Sequence, residues 1–235
     1  MKEFDLEAVL LKLKSERKIF VSEADFQLAL AWKIKEMYSD KTEVRCEYPV
    51  ELNGIFIHLD ILVIWGKKKE WIPIEVKYKT TTLDYIDDDV EYCLKHQGAK
   101  DCGCYDYIKD IKRIQDIKND PATKRRFLKG YTVFLTNDHS YKKSSRRKFD
   151  KKGKLIKPYY AMFSIAEKEK DKNGNLLDNK IVKPLNWLGN TGKGTKRGRT
   201  DAIEIDGEYP CNWQCYNKLE VGGNDEFIFL LHEIK

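Results

Sequence analysis

The sequence predicts an α/β protein built around a mixed central sheet, and two patterns lead to that prediction. Apolar residues repeat at helical spacing in 4–16 and again in 26–37, which indicates two amphipathic helices. Three consecutive segments, 45–52, 55–65 and 70–79, are rich in β-branched and aromatic residues, as strands are. Helices before the strands and further helical segments after them favour a sheet that is flanked by helices.

The junctions between these elements carry local signals of their own. Ser22 is placed to cap the second helix, with Asp25 three positions on in an approximate capping box. Asn53-Gly54 is a two-residue hairpin signal between the first two strands, and the lysines 67–69 form the next turn. Further helices are predicted at 83–95 and 105–117, and a buried strand at 131–136. The predicted order is therefore helix, three strands, helix, strand.

Composition and charge divide the chain into two predicted segments of one structural domain. Residues 1–140 form the predicted core, and 141–235 form a basic, strand- and loop-rich extension that packs on it and ends in a strand at 226–231. The 235 residues suffice for a substantial core, and no apolar run reaches the ~18 residues of a membrane span. With no signal peptide in the first residues, we expect a cytoplasmic protein with no membrane association and six reduced cysteines.

Charged side chains on the second and third predicted strands point to a chemical function. Because side chains alternate along a strand, Ile57, Leu59, Ile61 and Val63 should share one face of the sheet, and Asp60 should point to the other. Glu75 and Lys77 likewise share a face of the next strand. Adjacent strands would then gather two carboxylates and one ammonium group, a set suited to a divalent metal ion and an activated water.

The spacing of these residues resembles a known enzyme signature. Asp60, fourteen intervening residues and then Glu75-Val76-Lys77 resemble the D…(D/E)-x-K motif of the PD-(D/E)XK nuclease superfamily, which includes many restriction endonucleases. Leu59 stands where the family often has proline. The resemblance covers roughly 20–137 and implies a restriction-endonuclease-like αβββαβ core with a mixed central sheet, followed here by a β-rich C-terminal elaboration.

The resemblance also implies a set of site residues and a metal ion. Asp60, Glu75 and the carbonyl of Val76 would hold Mg²⁺, with Mn²⁺ as a substitute, because magnesium prefers oxygen ligands. Lys77 would orient the water or stabilise developing charge. Glu23, in the first turn of the second helix, resembles the helical glutamate that often joins the family's metal cluster. Gln97, expected at the end of the helix 83–95, resembles a polar residue that points at the site.

Several of these residues also have purely structural interpretations. Asp60 and Lys77 would form a surface ion pair on a solvated sheet face if the site did not exist. Glu23 would serve the dipole of its helix, and Gln97 would be a solvated helix end. Asp106, Asp110 and Arg113 are interpreted as ion pairs within one helix.

Basic residues and cysteines outside the core suggest partners more weakly. Two basic runs are candidates for contacts with a nucleic-acid backbone, or else are solvated loops: Lys143, Arg146, Arg147, Lys193, Lys196, Arg197 and Arg199. The loop 190–199 lacks the spacing of a phosphate-binding P-loop. Cys102, Cys104, Cys211 and Cys215 lack the two-residue spacers common in zinc sites, so zinc is disfavoured.

Together these features predict a Mg²⁺-dependent endonuclease that hydrolyses phosphodiester bonds, with DNA as the favoured substrate and RNA not excluded. One alternative is a catalytically inactive nucleic-acid-binding protein that keeps the nuclease fold. Another is a protein-interaction module whose charged runs only confer solubility. The sequence leaves base specificity and homodimer formation open.

Overall fold

The computed structural model shows a mixed α/β protein and describes residues 3–52, 54–145, 148–157, 162–182, 185–187, 191–199 and 202–235. These residues contain four helices: α1 Leu6–Lys14, α2 Glu23–Met37, α3 Lys100–Asn119 and α4 Lys193–Lys196. The strands are β1 Thr42–Leu52, β2 Ile55–Trp65, β3 Glu70–Lys79, β4 Leu83–Asp87, β5 Val90–Leu94, β6 Gly130–Thr136, β7 Lys148–Phe149, β8 Leu155–Lys157, β9 Lys168–Lys170, β10 Leu176–Asp178, β11 Lys180–Ile181, β12 Tyr209–Pro210, β13 Gln214–Lys218 and β14 Glu226–Ile234.

The chain forms two compact units whose limits differ from the predicted segments 1–140 and 141–235. The first unit comprises Met1–Gln97, Arg113–Asn137 and Gln214–Lys235, and the second comprises Gly98–Lys112 and Asp138–Trp213. The last two strands therefore belong with the N-terminal elements. The second unit contains the short strand pairs β7–β8, β9–β10 and β11–β12. Within the described part of the chain, no helix is both long and apolar enough to cross a membrane.

A six-stranded mixed sheet organises the first unit, in the order β1-β2-β3-β6-β14-β13. The first three strands form an antiparallel meander, and β6 then pairs parallel to β3, with Glu75 opposite Thr132. A parallel neighbour requires a crossover connection, which here includes α3. The predicted α/β class, the first three strands and the buried strand near 131–136 are confirmed.

Helices cover both faces of this sheet. On one face, α1 and α2 pack against Ile72, Ile74 and Val76 of β3, and we call this cluster the α2-side core. On the other face, Ile117 of α3 packs against Leu62 and Trp71 in the α3-side cluster. Because Trp71 and Ile72 are consecutive strand residues, the two clusters lie on opposite faces of β3.

The capping prediction for α2 is confirmed. The Ser22 hydroxyl accepts a hydrogen bond from the backbone N–H of Asp25 at 3.1 Å, and an Asp25 carboxylate oxygen accepts from the N–H of Val21 at 3.0 Å. These bonds satisfy donors that the first helical turn leaves open. The helix therefore begins at Glu23, so this glutamate lies in the first turn, at the N-terminal end of α2.

The predicted helix at 83–95 is wrong, because this segment forms the hairpin β4–β5. Asp88 and Asp89 link the two strands, and both have positive φ angles, of 46° and 66°. Two consecutive left-handed residues are the signature of a type I′ turn, whose twist matches that of paired strands. Tyr85 and Tyr92 stand opposite each other with ring centroids 6.2 Å apart. Tight turn geometry and cross-strand pairing thus override the helical spacing of the apolar residues.

Close packing of α3 on the sheet depends on Gly130, the first residue of β6. A Cβ atom added here would lie 2.3 Å from Ile114 Cγ2 and 3.2 Å from the carbonyl oxygen of Pro73. We expect Gly130→Ala to lower the free energy of unfolding by about 1–3 kcal/mol, because the helix must shift. Urea unfolding measures this change. Gly98→Ala is the matched control, since nothing lies within 4 Å of its added Cβ; an equal loss in both variants would contradict the packing argument.

Candidate active site

The candidate site lies where β2 and β3 stop pairing with each other. Their ladder runs from Trp65↔Glu70 to Ile61↔Ile74 and ends there, although β2 begins at Ile55 and β3 continues to Lys79. Beyond this point, among the residues that the structure describes, β2 pairs only with β1, and β3 only with β6. The edge of β3 that faces β2 therefore loses its backbone partners from Glu75 onward.

Two carboxylates replace the missing strand along this edge. Asp60 Oδ2 accepts a hydrogen bond from the backbone N–H of Val76 at 2.7 Å, and Glu23 Oε2 accepts from the N–H of Tyr78 at 2.8 Å. Val76 and Tyr78 are two positions apart, so their amides point the same way, about 7 Å apart along the strand. Buried amides need acceptors, and the two side chains supply them.

In both β2 and β1, the side chains switch from one face of the sheet to the other. The switch in β2 occurs at Asp60. Ile61 and Val63 pack in the α2-side core, whereas Ile57 and Leu59 pack with the α3-side cluster. The prediction that these four residues share one face is therefore wrong. In β1, Val44 and Cys46 likewise pack with the α2-side core, and Tyr48 and Val50 with the α3-side cluster.

Glu47 is the backbone irregularity that accompanies this change of face. Its φ is 50°, a left-handed conformation that is unfavourable for a residue with a side chain, and the β1–β2 pairing is interrupted between Cys46↔Ile61 and Tyr48↔Leu59. Strict alternation holds only along a regular ladder, so an interrupted ladder permits the switch. The sequence between 45 and 52 contains no glycine that would have indicated it.

Gln27 of α2 forms hydrogen bonds to both strands at this irregular point. Its Nε2 donates to Glu47 Oε1 at 2.8 Å and to the carbonyl oxygen of Asp60 at 2.5 Å. Gln27 is buried, whereas Glu47 is exposed. Burial, followed by the negative charges of Glu47 and Asp60, raises the pKa of the adjacent Cys46 thiol. Through its hydrogen bond to the carbonyl oxygen, Gln27 fixes the backbone of Asp60 on the face of the α2-side core.

Glu75 is the most deeply buried charged group of the site. Its side chain is 0% exposed and forms an ion pair with Arg113 of α3, with Arg113 Nη1 2.9 Å from Glu75 Oε1. A buried carboxylate requires a counter-charge, and an arginine is well suited to that role. Arg113 therefore has a partner outside its own helix, which the interpretation as a within-helix ion pair did not include. No local pattern reveals this partner, which lies 38 positions away.

The remaining predicted site residues have different positions. Lys77 Nζ donates to the carbonyl oxygen of Val76 at 3.1 Å, so the lysine lies beside the predicted metal-ligand carbonyl. Gln97 does not end a helix, because it follows the hairpin strand β5. It is exposed, and its backbone N–H donates to the carbonyl oxygen of Thr80 at 2.9 Å. In the described residues, the Gln97 side chain makes no hydrogen bond to the site.

The residues that the structure brings together hold an excess of negative charge. The candidate site comprises four carboxylates and two cationic side chains, with Gln27 between them: Glu23, Glu47, Asp60, Glu75, Lys77 and Arg113. Asp60, Glu75 and the Val76 carbonyl offer only oxygen donors, which suits Mg²⁺ chemically. No group of three or more His, Cys, Asp or Glu side chains within the described ranges has the geometry of a metal site. Asp60 and Glu75 alone are smaller than such a group, and adding Glu23 does not produce one with that geometry.

The predicted nucleic-acid contacts lie in the second unit. Arg199 forms a bidentate ion pair with Asp106, through Nε at 2.7 Å and Nη2 at 2.6 Å, so its guanidinium is already engaged. Lys143, Lys193 and Arg197 are exposed, and Lys196 is half-buried. Arg146 and Arg147 lie outside the described residues. The six cysteines are free thiols.

Comparison with known proteins does not name a family for this chain. No family model matches it, and no characterised protein or solved structure is significantly similar to it.

The Arg113–Glu75 pair should contribute strongly to stability. Arg113→Met leaves the buried Glu75 without this counter-charge, and we expect the free energy of unfolding to fall by about 3–5 kcal/mol in urea titrations. Arg17→Met is the control, because the Arg17–Asp25 pair is partly exposed and should be worth about 1 kcal/mol or less. Adding Glu75→Gln to Arg113→Met should recover part of the loss. Equal effects of the two single substitutions would contradict this assignment.

Two substitutions of Asp60 distinguish the role of its charge from the role of its hydrogen bond to the Val76 amide. Asp60→Asn keeps a side-chain oxygen as acceptor, so the Val76 N–H should stay protected and stability should change little. Asp60→Ala removes the acceptor and should cost about 1–3 kcal/mol. Amide hydrogen exchange of Val76, read by NMR, distinguishes the two. Unchanged Val76 exchange in Asp60→Ala would show that the Asp60 oxygen is not the acceptor, and equally faster exchange in both variants would show that the bond requires the carboxylate charge.

Proposed function

We propose that this protein is a Mg²⁺-dependent nuclease with a restriction-endonuclease-like core, and that DNA is its substrate. The observation that carries the proposal is the opening between β2 and β3, where the Asp60 and Glu23 carboxylates accept the backbone N–H groups of Val76 and Tyr78. The same strand carries Glu75 and Lys77. A structural ion pair between Asp60 and Lys77 would require none of the other residues. Apart from the preceding α1 and the hairpin β4–β5 inserted after β3, the order α2, β1, β2, β3, α3, β6 and the parallel β3–β6 pair also support the proposed architecture.

The proposed chemistry follows from the donor set. Asp60, Glu75 and the Val76 carbonyl would hold the cation, which would polarise the scissile phosphate and lower the pKa of a bound water. Lys77, held against the Val76 carbonyl, would stabilise negative charge at the phosphate. Glu23 and Gln27 would keep the strand edge and the Asp60 backbone in position through their hydrogen bonds.

The exposed lysines and arginines of the second unit are the proposed contacts to the DNA backbone. Lys143, Lys193 and Arg197 are open to solvent, and such contacts attract a polyanion without reading its sequence. Arg199 is excluded from this set because Asp106 engages it. RNA carries the same phosphate charge and stays an alternative substrate.

One observation favours the rival role of a catalytically inactive nucleic-acid-binding protein. Asp60 and Glu23 already accept backbone N–H groups, and Glu75 is paired with Arg113. Carboxylates that complete the fold in this way would be retained without catalysis. Binding that weakens with salt, in the absence of any cleavage, would support this rival.

Cleavage assays test the proposal directly. Wild type should cut plasmid DNA with Mg²⁺ or Mn²⁺ but not with EDTA. Asp60→Asn and Glu75→Gln should abolish cutting, and Lys77→Ala should slow it by about 10²-fold or more, because charge at the phosphate is no longer stabilised. Lys12→Ala, at an exposed pair on α1, is the matched control and should retain wild-type rates.

Circular dichroism and salt-dependent DNA binding accompany each variant, so that loss of folding is not mistaken for loss of catalysis. Single-stranded DNA and RNA are assayed in parallel to identify the substrate. Metal-dependent cutting that survives both Asp60→Asn and Glu75→Gln would place the catalytic centre elsewhere. Salt-dependent binding by a wild type that never cuts would favour the inactive rival.

A further inference from the structure

Arg113 is a residue of the site that the proposed nuclease chemistry does not use. It reaches Glu75 from α3, on the face of the sheet opposite α1 and α2, and its side chain is 27% exposed. Glu75 is fully buried, so the pair has one end inside the protein and one end at its surface. The guanidinium can therefore change partners without the carboxylate leaving its place.

Packing holds α3 against this carboxylate. Ile114 and Ile117 of α3 are fully buried, and the missing side chain of Gly130 admits Ile114 close to the sheet. Arg113 directly precedes Ile114, so its backbone is fixed by the same contact. The ion pair is thus a positioned interaction and differs from the mobile pairs of the exposed surface.

A divalent cation at the proposed site would need the same carboxylate. Glu75 is one of only two side-chain ligands in the proposed set, and Arg113 already places a positive charge 2.9 Å from one of its oxygens. Two positive groups on one buried carboxylate repel each other, and water does not screen that repulsion well in the interior. Cation binding and the Arg113–Glu75 pair therefore oppose each other.

Resting on the proposed function, we propose that Arg113 is a positioning residue that occupies the place of the cation on Glu75. It holds the carboxylate in place in the metal-free protein through the ion pair. A divalent ion binds by taking Glu75 from the guanidinium, whose exposed end then turns toward solvent or a substrate phosphate. Arg113 thereby sets the cation concentration at which the site fills.

This assignment predicts that substitutions of Arg113 change cation affinity in a direction opposite to that expected of a purely structural residue. A neutral residue should strengthen cation binding, because the competing charge is gone. If Arg113 only supported the fold, the same substitution would loosen Glu75 and weaken cation binding. The sign of the change in affinity therefore separates the two roles.

The experiment measures Mn²⁺ binding to the full chain by electron paramagnetic resonance, without nucleic acid. Arg113→Gln keeps an amide donor but no charge, and Arg113→Met keeps length alone. We expect both variants to bind Mn²⁺ at least tenfold more tightly than wild type. Lys18→Met, at the exposed Lys18–Asp87 pair, should leave the affinity unchanged, and Glu75→Gln should abolish binding.

A second measurement titrates wild type and needs one variant, Arg113→Lys, only to assign a resonance. The side-chain Nε–H resonance of Arg113, identified by its absence in Arg113→Lys, should shift when Mg²⁺ saturates the protein. A resonance that stays in place at saturation would overturn the displacement of Arg113.

Failure of this inference is distinguishable from failure of the nuclease proposal. Equal or weaker Mn²⁺ binding by folded Arg113→Gln and Arg113→Met, with wild type binding Mn²⁺ and cutting DNA, would overturn the role of Arg113 alone. If wild type and both variants bind no Mn²⁺, the inference and the metal-dependent function are both overturned.

Discussion

The parting of β2 and β3 after the Ile61↔Ile74 pair is the constraint on which the candidate site depends. A strand edge inside a folded protein must satisfy its N–H groups, and here it does so with side-chain carboxylates. Asp60 comes from the neighbouring strand and Glu23 from the first turn of α2. The need to satisfy backbone amides therefore places two acidic side chains against amides that lie about 7 Å apart on one edge.

Charge compensation accounts for the rest of the arrangement. A fully buried Glu75 would be destabilising alone, and Arg113 supplies its counter-charge from a helix held close by Gly130. Lys77 lies beside the Val76 carbonyl, on the strand that also carries Glu75. The groups that stabilise the fold are thus the same groups that the proposed chemistry requires, so stability and activity must be measured separately in every variant.

The irregular backbone at Glu47 allows the hairpin β1–β2 to pack on both faces of the sheet. One half of the hairpin packs with the α2-side core and the other half with the α3-side cluster. Asp60 lies at the change between them, where Gln27 bonds to its carbonyl oxygen. An interrupted ladder leaves backbone groups for side chains to satisfy, and that is why polar residues from three elements meet at this point.

Local patterns in the sequence determined the α/β class, the first three strands, the Ser22 cap of α2 and the candidates Asp60, Glu75 and Lys77, because capping, turn and strand signals act over a few residues. Glu23 became a site candidate through the family resemblance. Only the tertiary structure decided that Arg113 pairs with Glu75, that Gln27 joins Glu47 to Asp60, and that 83–95 is a hairpin without a helical end at Gln97. The partner of a buried charge is chosen by packing across the fold. Likewise, a change of sheet face depends on one strained residue that carries no compositional signal.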